Sequence, residues 1–148
     1  MIRYLEVEDA NAYIQNYKID RSEWDSSPDG NKEIWLNKAT RALDSLAWKG
    51  VKADADQQNA FPRGSETEVP QDILDATAEL AFAYSCGVNP DIEFDNISIT
   101  SRKLGPVSTT CDTSIPRPFV IMGIVSLDAY RLIAPYLQSL RLMKIDKV

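Results

Sequence analysis

No histidine occurs among the 148 residues of this chain. Histidine is the usual general base at neutral pH and the commonest metal ligand, so its absence argues against ordinary acid–base catalysis and against a zinc site. The six glycines are scattered singly, which leaves no glycine-rich loop to hold a phosphate. Because no catalytic constellation is visible, we expect a protein that is not an enzyme and that needs no cofactor.

Cysteine and long apolar runs are scarce as well. Cys86 and Cys111 are too few for a structural zinc site, and Cys111 has no basic neighbour in the sequence to make it a nucleophile. The first residues lack the cationic start and apolar stretch of a signal peptide, so we expect reduced thiols and no export. The longest apolar run, residues 119–125, is far shorter than the ~20 residues that cross a bilayer. These features predict a soluble protein with no membrane partner.

Positive charge is in deficit, with 16 basic against 22 acidic side chains and a formal charge of −6. General nucleic-acid binding needs a basic patch that displaces counterions from phosphates, so this balance argues against it. One small basic face remains as an alternative on the second predicted helix, although a solvated surface is the simpler interpretation. Its candidate residues are Lys38, Arg41, Lys49 and Lys52.

Two further patterns have a functional and a structural interpretation. Aromatic residues can stack on the bases of single-stranded DNA, but Trp35 and Trp48 lie on or at the end of an apolar stripe, which favours core packing. The other aromatic candidates for stacking are Trp24 and Phe61.

Alternate carboxylates at Asp91, Glu93 and Asp95 are similar to the start of a calcium loop. That loop's glycine and twelfth-position carboxylate are missing, so a solvated loop is favoured.

Apolar residues recur at helical spacing in four segments. The first is Val7–Tyr17, with a stripe of Ala10, Tyr13, Ile14 and Tyr17. The second spans about 28–48, after a capping serine and Pro28, with a stripe of Ile34, Trp35, Ala39, Ala42, Leu43, Leu46 and Ala47. The third begins at Pro70 and ends at Gly87. The last begins at a Ser126 cap, runs through Leu137 and Leu140, and is kinked at Pro135. The two long helices are expected to pack together.

Period-two alternation at 97–101 and the β-rich residues 107–113, separated by a break at 104–107, predict a hairpin or a two-part extended arm. Residues 119–125 fit either a buried strand or the approach to a helix. The expected fold is therefore mainly α, a small helical bundle with an extended β-hairpin-like arm and a C-terminal helix and tail. We expect residues 1–90 to form the bundle core, 91–118 the arm and spacer, and 119–148 a C-terminal helix and tail that pack on the core or on neighbours.

A long loop between the second and third helices is the most informative segment. Gly50 can supply the positive φ that ends the preceding helix, and Pro62 blocks helix and disfavours it at Phe61. These constraints predict a fixed path in which Trp48, Phe61 and Arg63 pack together. Together with Pro70 these residues form a structural motif, and none of them is a nucleophile, a base or a metal ligand.

Several short motifs resemble, in order and spacing, a family of small proteins from tailed phages and prophages. The matching segments are residues 8–13, 48–50, 57–63, 69–70, 78–81, 101–108 and 132–137. Phe61 stands where that family usually has a tryptophan. Such sequences are often labelled DnaT-like single-stranded-DNA-binding proteins, and they also resemble the head–tail adaptors, or connectors, that form a ring beneath the phage portal.

The adaptor resemblance implies a virion protein of the head–tail neck, made in the host cytoplasm. Its partners would be other copies in a ring, expected to be dodecameric, the portal protein, and a stopper or tail protein, while DNA passes through the lumen without specific binding. Contacts between subunits are expected from an arm that contains Ile97, Ile99, Leu104, Gly105 and Val107. Portal docking is expected from the basic tail, whose residues are Arg141, Leu142, Met143, Lys144 and Lys147. The alternative is a DnaT-like single-stranded-DNA-binding replication accessory protein.

Overall fold

Helices form most of the ordered elements in the computed structural model, which describes residues 2–91, 101–104, 107–110 and 122–138, and only the backbone of the two short ranges. Five α-helices, a 3-10 segment and two strands occur in these residues. In chain order they are α1 Val7–Tyr17, α2 Ser22–Asp25, α3 Asp29–Asp44, α4 Gln71–Ser85, β1 Ser101–Leu104, β2 Val107–Thr110, α5 Leu127–Ile133 and the 3-10 segment Ala134–Tyr136. The described part is thus a small, mainly helical domain, as predicted.

Helix α1 has the predicted boundaries. Ala10 and Ile14 are buried, and Glu8 and Asp9 lie in its first turn, where the helix dipole favours negative charge. Tyr17 was expected on the buried stripe but is 67% exposed. The short helix α2 was not predicted, because four residues carry no periodic pattern. It buries Trp24, whose indole nitrogen donates to the Asn11 side chain at 2.8 Å.

Helix α3 is shorter than predicted and is rotated relative to the predicted stripe. It ends at Asp44, so Trp48 lies beyond the helix and pairs by a backbone bridge with Leu137. The buried positions are Lys32, Leu36, Ala39, Thr40 and Leu43, whereas Ile34 is 63% exposed. The predicted serine cap is wrong: Pro28 occupies the N-cap, and the hydroxyls of Ser26 and Ser27 donate to the carbonyl of Glu23.

Helix α4 is the centre of the core. Pro70 is its N-cap, and Gly87 follows it with φ of +83°, as expected for a glycine beyond a helix end. Ile73, Ala76 and Leu80 are fully buried. Helix α3 packs along α4, as predicted, and α1 and α5 also contact it. Full burial of such aliphatic side chains contributes roughly 1.5–3 kcal/mol each for the larger ones, so α4 supplies much of the driving force for folding.

Helix α5 begins as predicted, because the Ser126 hydroxyl accepts a bond from the Ala129 amide at 3.2 Å. It ends earlier than predicted. The chain changes to a 3-10 segment that contains Pro135, and Leu137 then pairs with Trp48. The expected kinked helix through Leu137 is therefore wrong, because Pro135 lies in the tighter turn where the α-helix has already ended. Leu140 lies outside the described residues.

Strands β1 and β2 pair antiparallel, with Ser101 opposite Thr110 and Leu104 opposite Val107. The pairing places the chain reversal at the predicted break. Most of the predicted strand 97–101 lies outside the described residues, as do Ile97, Ile99, Gly105 and Cys111. The projecting arm and the three-part division of the chain remain predictions. Residues 139–148, with the whole basic tail, and Glu93 and Asp95 also lie outside the described part.

In the described ranges, no helix has the length and apolar content that a membrane span requires.

Candidate functional site

Arg63 joins the two halves of the predicted structural motif. Its Nε donates to the carbonyl of Lys49 at 2.9 Å, Nη2 to that of Gly50 at 2.6 Å and Nη1 to that of Ala60 at 3.1 Å. A rigid guanidinium with several donors suits this task, which a lysine ammonium cannot reproduce in the same geometry. We call this arrangement the Arg63 clamp. It fixes the path of the chain at both ends of the long loop.

Backbone bonds reinforce the clamp. The amide of Ala53 donates to the carbonyl of Pro62 at 3.1 Å, and that of Gly64 donates to Val51 at 2.8 Å. Gly50 and Gly64 have φ of +74° and +60°, a region that residues with a Cβ rarely adopt. The peptide bond between Phe61 and Pro62 is cis. The loop therefore follows a fixed path, as predicted.

Phe61 is the aromatic centre of the motif. Its ring lies 4.8 Å from Trp48, 6.3 Å from Tyr4 and 6.4 Å from Tyr136, each in an edge-to-face arrangement that aromatic pairs favour. Trp48 is buried, and its indole nitrogen donates to the carbonyl of Leu43 at 2.9 Å. The prediction that Trp48, Phe61 and Arg63 pack together is confirmed. Pro70 lies apart from this cluster, at the start of α4.

Tyr4 and Asp44 also anchor the loop, through hydrogen bonds to the backbone of Ala60 and Phe61. Neither residue was predicted from the sequence to have this role. The Tyr4 hydroxyl donates to the Asp44 carboxylate, which also accepts the Ala60 amide at 2.9 Å. The Phe61 amide donates in turn to the Tyr4 oxygen at 3.2 Å. Burial and the Asp44 carboxylate raise the pKa of Tyr4 well above its ordinary value. No local signal pointed to this pair, because its members are distant in the sequence.

Two open clefts border the motif. One, of about 270 Å³, is lined by Phe61, Arg63, Glu66, Tyr136 and neighbours. The other, of about 460 Å³, lies between the N-terminal residues and the loop, where the side-chain nitrogen of Asn59 donates to the carbonyl of Ile2. Neither contains a nucleophile paired with a base. Within the described ranges, no group of three or more acidic or cysteine side chains could hold a metal.

Glu79 forms a second buried polar cluster, between α1 and α4. Its carboxylate is almost fully buried and accepts bonds from the Tyr13 hydroxyl at 2.8 Å and the Lys18 ammonium at 2.6 Å. Lys18 also lies 3.8 Å from Asp128 at the start of α5. Burial and the neighbouring Glu79 raise the pKa of Tyr13. A buried charge with two partners satisfies the requirement that such groups be neutralised, so we interpret this cluster as structural.

The charge of the described side chains is strongly negative, with ten basic against eighteen acidic residues. Eight of these ten cations contact a carboxylate or a backbone carbonyl. They are Arg3, Lys18, Arg21, Lys32, Lys49, Lys52, Arg63 and Arg131. The other two, Lys38 and Arg41, lie on the outer side of α3. Helix α3 ends at Asp44, so Lys49 and Lys52 lie beyond it and are not on the helix face that carries Lys38 and Arg41.

Most aromatic candidates for base stacking serve the core. Trp24, Trp48 and Phe61 are buried, and Trp35 packs at 6.0 Å from Trp24. Tyr17 is exposed, with its ring 4.6 Å from Tyr13. Single-strand binders expose such rings in a positive groove, and the described surface has neither the exposed indoles nor the positive charge for one. The prediction of core packing for these residues is confirmed.

Comparison with known proteins gives one family match. A family described as "Putative DnaT-like ssDNA binding protein" matches residues 3–141 of the chain. No curated protein matches the sequence, and no solved structure matches it either. The match covers the Arg63 clamp, the Glu79 cluster and the hairpin.

Proposed function

The chain belongs to the family of DnaT-like ssDNA-binding proteins, and we propose that within this family it is a structural protein, a head–tail adaptor of a tailed phage. In this proposal it forms a ring beneath the portal, conducts DNA through the lumen, and joins the head to a stopper or tail protein. The resemblance of its short motifs to those of head–tail adaptors supports this role. The family description by itself favours the alternative, single-stranded-DNA binding.

The observation that carries the adaptor proposal is the charge of the described body. Its acidic residues exceed its basic ones by eight, and most of its cations are already paired. A ring that lets DNA pass must not hold it, and an acidic wall repels phosphate. A storage or replication protein would need the opposite charge, because affinity for DNA depends on the phosphates that lysine and arginine neutralise.

The proposal assigns the Arg63 clamp a supporting role. Trp48, Gly50, Phe61, Pro62 and Arg63 keep the loop rigid, and a rigid body suits a subunit that must present fixed surfaces to its neighbours. Three of the five guanidinium N–H groups of Arg63, one on each nitrogen, donate to backbone carbonyls. Its function is therefore to hold the fold, and recognition is assigned to other parts of the chain.

Contacts between subunits are assigned to the hairpin arm, with Ile97, Ile99, Leu104, Gly105 and Val107. Strands β1 and β2 form a two-stranded sheet in which neither outer edge is paired within the described ranges. A hairpin of two strands is marginally stable alone in water, so support from another surface is required. The basic tail, which contains Arg141, Leu142, Met143, Lys144 and Lys147, is assigned to docking on the portal.

The second candidate, single-stranded-DNA binding, is favoured by the family description. DNA binding would rely on basic residues other than the eight that already contact a carboxylate or a backbone carbonyl in the described part. The remaining candidates are Lys38, Arg41, Arg102, Lys103, Arg117, Arg141, Lys144 and Lys147.

An equilibrium binding experiment separates the two candidates. Fluorescence anisotropy of a labelled oligo(dT) would be measured against increasing protein at about 50 mM and about 200 mM salt, a range in which a protein with several phosphate contacts loses orders of magnitude in affinity. The adaptor proposal predicts no saturable binding at either salt concentration. Tight binding that weakens steeply with salt would overturn it and support the replication role.

A further inference from the structure

A short segment that follows α5 is attached to the long loop at only a few points. We call this segment, residues 134–138, the strap. The Lys49 amide donates to the carbonyl of Tyr136 at 2.9 Å, and the Gln138 amide donates to that of Ala47 at 3.0 Å. Within the described ranges, these two backbone hydrogen bonds are the ones that join the strap to the loop. Both donors belong to exposed residues.

Side chains add three further attachments. The Tyr136 hydroxyl donates to the Asp72 carboxylate at 2.9 Å. The Lys49 ammonium donates to the carbonyl of Pro135 at 3.0 Å, in an exposed position. Leu137 is buried, unlike the other four residues of the strap. The strap is therefore docked by a few separate contacts and not by a continuous ladder of backbone bonds.

The packing beneath the strap is incomplete. The cleft of about 270 Å³ is lined both by Pro135 and Tyr136 of the strap and by Phe61 and Arg63 of the motif. Atoms that face a cleft lack the dispersion contacts that close packing would give. Pro135 has no amide to donate, and the 3-10 geometry of the segment gives poorer hydrogen bonds than an α-helix. Few buried contacts of this kind are typical of a segment that opens locally.

The helical core is complete without the strap. Ile133, the last residue of α5, is fully buried, as is Ala129, and α5 packs on α4. The strap's own hydrogen bonds go to the loop and to Asp72 in the first turn of α4. Detachment of the strap therefore leaves the packing of α5 on α4 in place.

We propose that the strap is a releasable attachment, which detaches from the loop as one unit while the helices stay folded and then docks again. Five extended residues span at most about 17 Å, so release gives the C-terminal segment greater reach. In the proposed adaptor, this reach allows the basic tail to meet the portal while the body keeps its position. That consequence rests on the proposed function, whereas the release itself does not.

Native-state hydrogen exchange of the full-length protein, followed by NMR, tests the release. The Lys49 and Gln138 amides report on the strap, because their bonds join it to the loop. The Gly64 amide reports on the clamped part of the loop, and the Leu80 amide reports on α4. We expect Lys49 and Gln138 to share one protection factor, at least about tenfold lower than that of Leu80, because local opening costs less free energy than global unfolding.

Tyr136→Phe weakens the strap and keeps its aromatic ring. It removes the hydrogen bond to Asp72, so we expect the exchange of the Lys49 and Gln138 amides to accelerate together, by about tenfold. The two reference amides are expected to exchange as in the wild type. Tyr17→Phe is the matched control, because it removes the hydroxyl of an exposed tyrosine at the end of α1, and it should leave all four rates unchanged.

Three results would overturn the release. Strap amides as strongly protected as Leu80 would mean that the strap opens only when the whole domain unfolds. An absent or unequal response of the two strap amides to Tyr136→Phe would mean that the strap does not move as a unit. No protection at either amide would mean that the strap is not docked. Exchange is measured on the isolated chain, so failure here is distinct from failure of the adaptor role, which is judged on virus particles.

Discussion

At the scale of single residues, Arg63 connects the two halves of the structural motif. Its guanidinium spans three carbonyls contributed by both halves of the motif, Lys49 and Gly50 on one side and Ala60 on the other. Each such bond is to a charged donor and stabilises more than a neutral one. Tyr4 completes the anchoring from the opposite side, through Asp44.

Arg63→Lys is expected to lower the free energy of unfolding by about 1–3 kcal/mol, because one ammonium leaves at least one of the three carbonyls without a donor. Urea denaturation followed by tryptophan fluorescence measures the change. Lys52→Ala is the control, since Lys52 donates to a single exposed carbonyl, and its effect should stay within about 0.5 kcal/mol. An Arg63→Lys variant as stable as the control would contradict the clamp.

Tyr4 makes stability depend on alkaline pH. Its pKa in the folded protein is raised by burial and by Asp44, so the folded chain keeps a proton that the unfolded chain releases above pH about 10. The stabilisation is complete below that pH and is lost as the pH rises. Tyr4→Phe is expected to make the alkaline decline shallower by up to about 1.4 kcal/mol per pH unit. Denaturation curves between neutral pH and pH about 11 check this, and an unchanged slope would refute it.

At the scale of elements, α4 holds the others together. Helix α3 packs along it, α5 contacts it, and Glu79 ties it to α1 through Tyr13 and Lys18. This contact between α1 and α4 is polar and buried. Removing one partner leaves a buried charge unpaired, so the loss of stability exceeds the net contribution of the intact ion pair.

Lys18→Met tests this connection. The methionine keeps an apolar stem over Phe82 but leaves the buried Glu79 carboxylate without a cation, and we expect a loss of about 3–5 kcal/mol in the free energy of unfolding. The double variant Lys18→Met with Glu79→Gln should recover part of this loss, because the unpaired charge is gone. Strictly additive effects in denaturation experiments would show that the two side chains are not coupled.

The sequence was sufficient for the elements whose signals are local. Helices α1 and α4 were predicted closely, because the spacing of their apolar residues is a short-range feature. The residues that flank α4, Pro70 and Gly87, are short-range signals as well. The orientation of α3 was not: Ile34 fits a helical period, but the period does not say which side faces the core. Trp48 was predicted to lie at the end of this helix. Its backbone pairing with Leu137 could not be predicted, because it joins parts of the chain that are distant in the sequence. The anchors Tyr4 and Asp44 were missed for the same reason.

At the scale of the whole molecule, the described body is acidic, and most of its cations and indoles are engaged internally. The rest of the chain carries six basic and four acidic side chains, so it is slightly positive in comparison. This asymmetry suits a subunit whose body faces DNA without holding it, while other segments make the contacts with partners. The adaptor proposal assigns those contacts to the arm and the tail.

Deleting residues 95–113 tests the assignment of the arm. Since the helices have their own core, the shortened chain is expected to keep its helical circular dichroism and its thermal midpoint within a few degrees. It should, however, fail to form rings when mixed with portal assemblies, as observed by electron microscopy. Intact rings from the deleted chain would contradict the assignment.

The most direct test of the central claim is the amount of this chain in purified virus particles. Quantitative mass spectrometry, after removal of free protein, would give its abundance relative to the portal protein. The adaptor account predicts near-equal numbers of the two chains. Absence from particles would contradict it and leave the single-stranded-DNA-binding role as the better explanation.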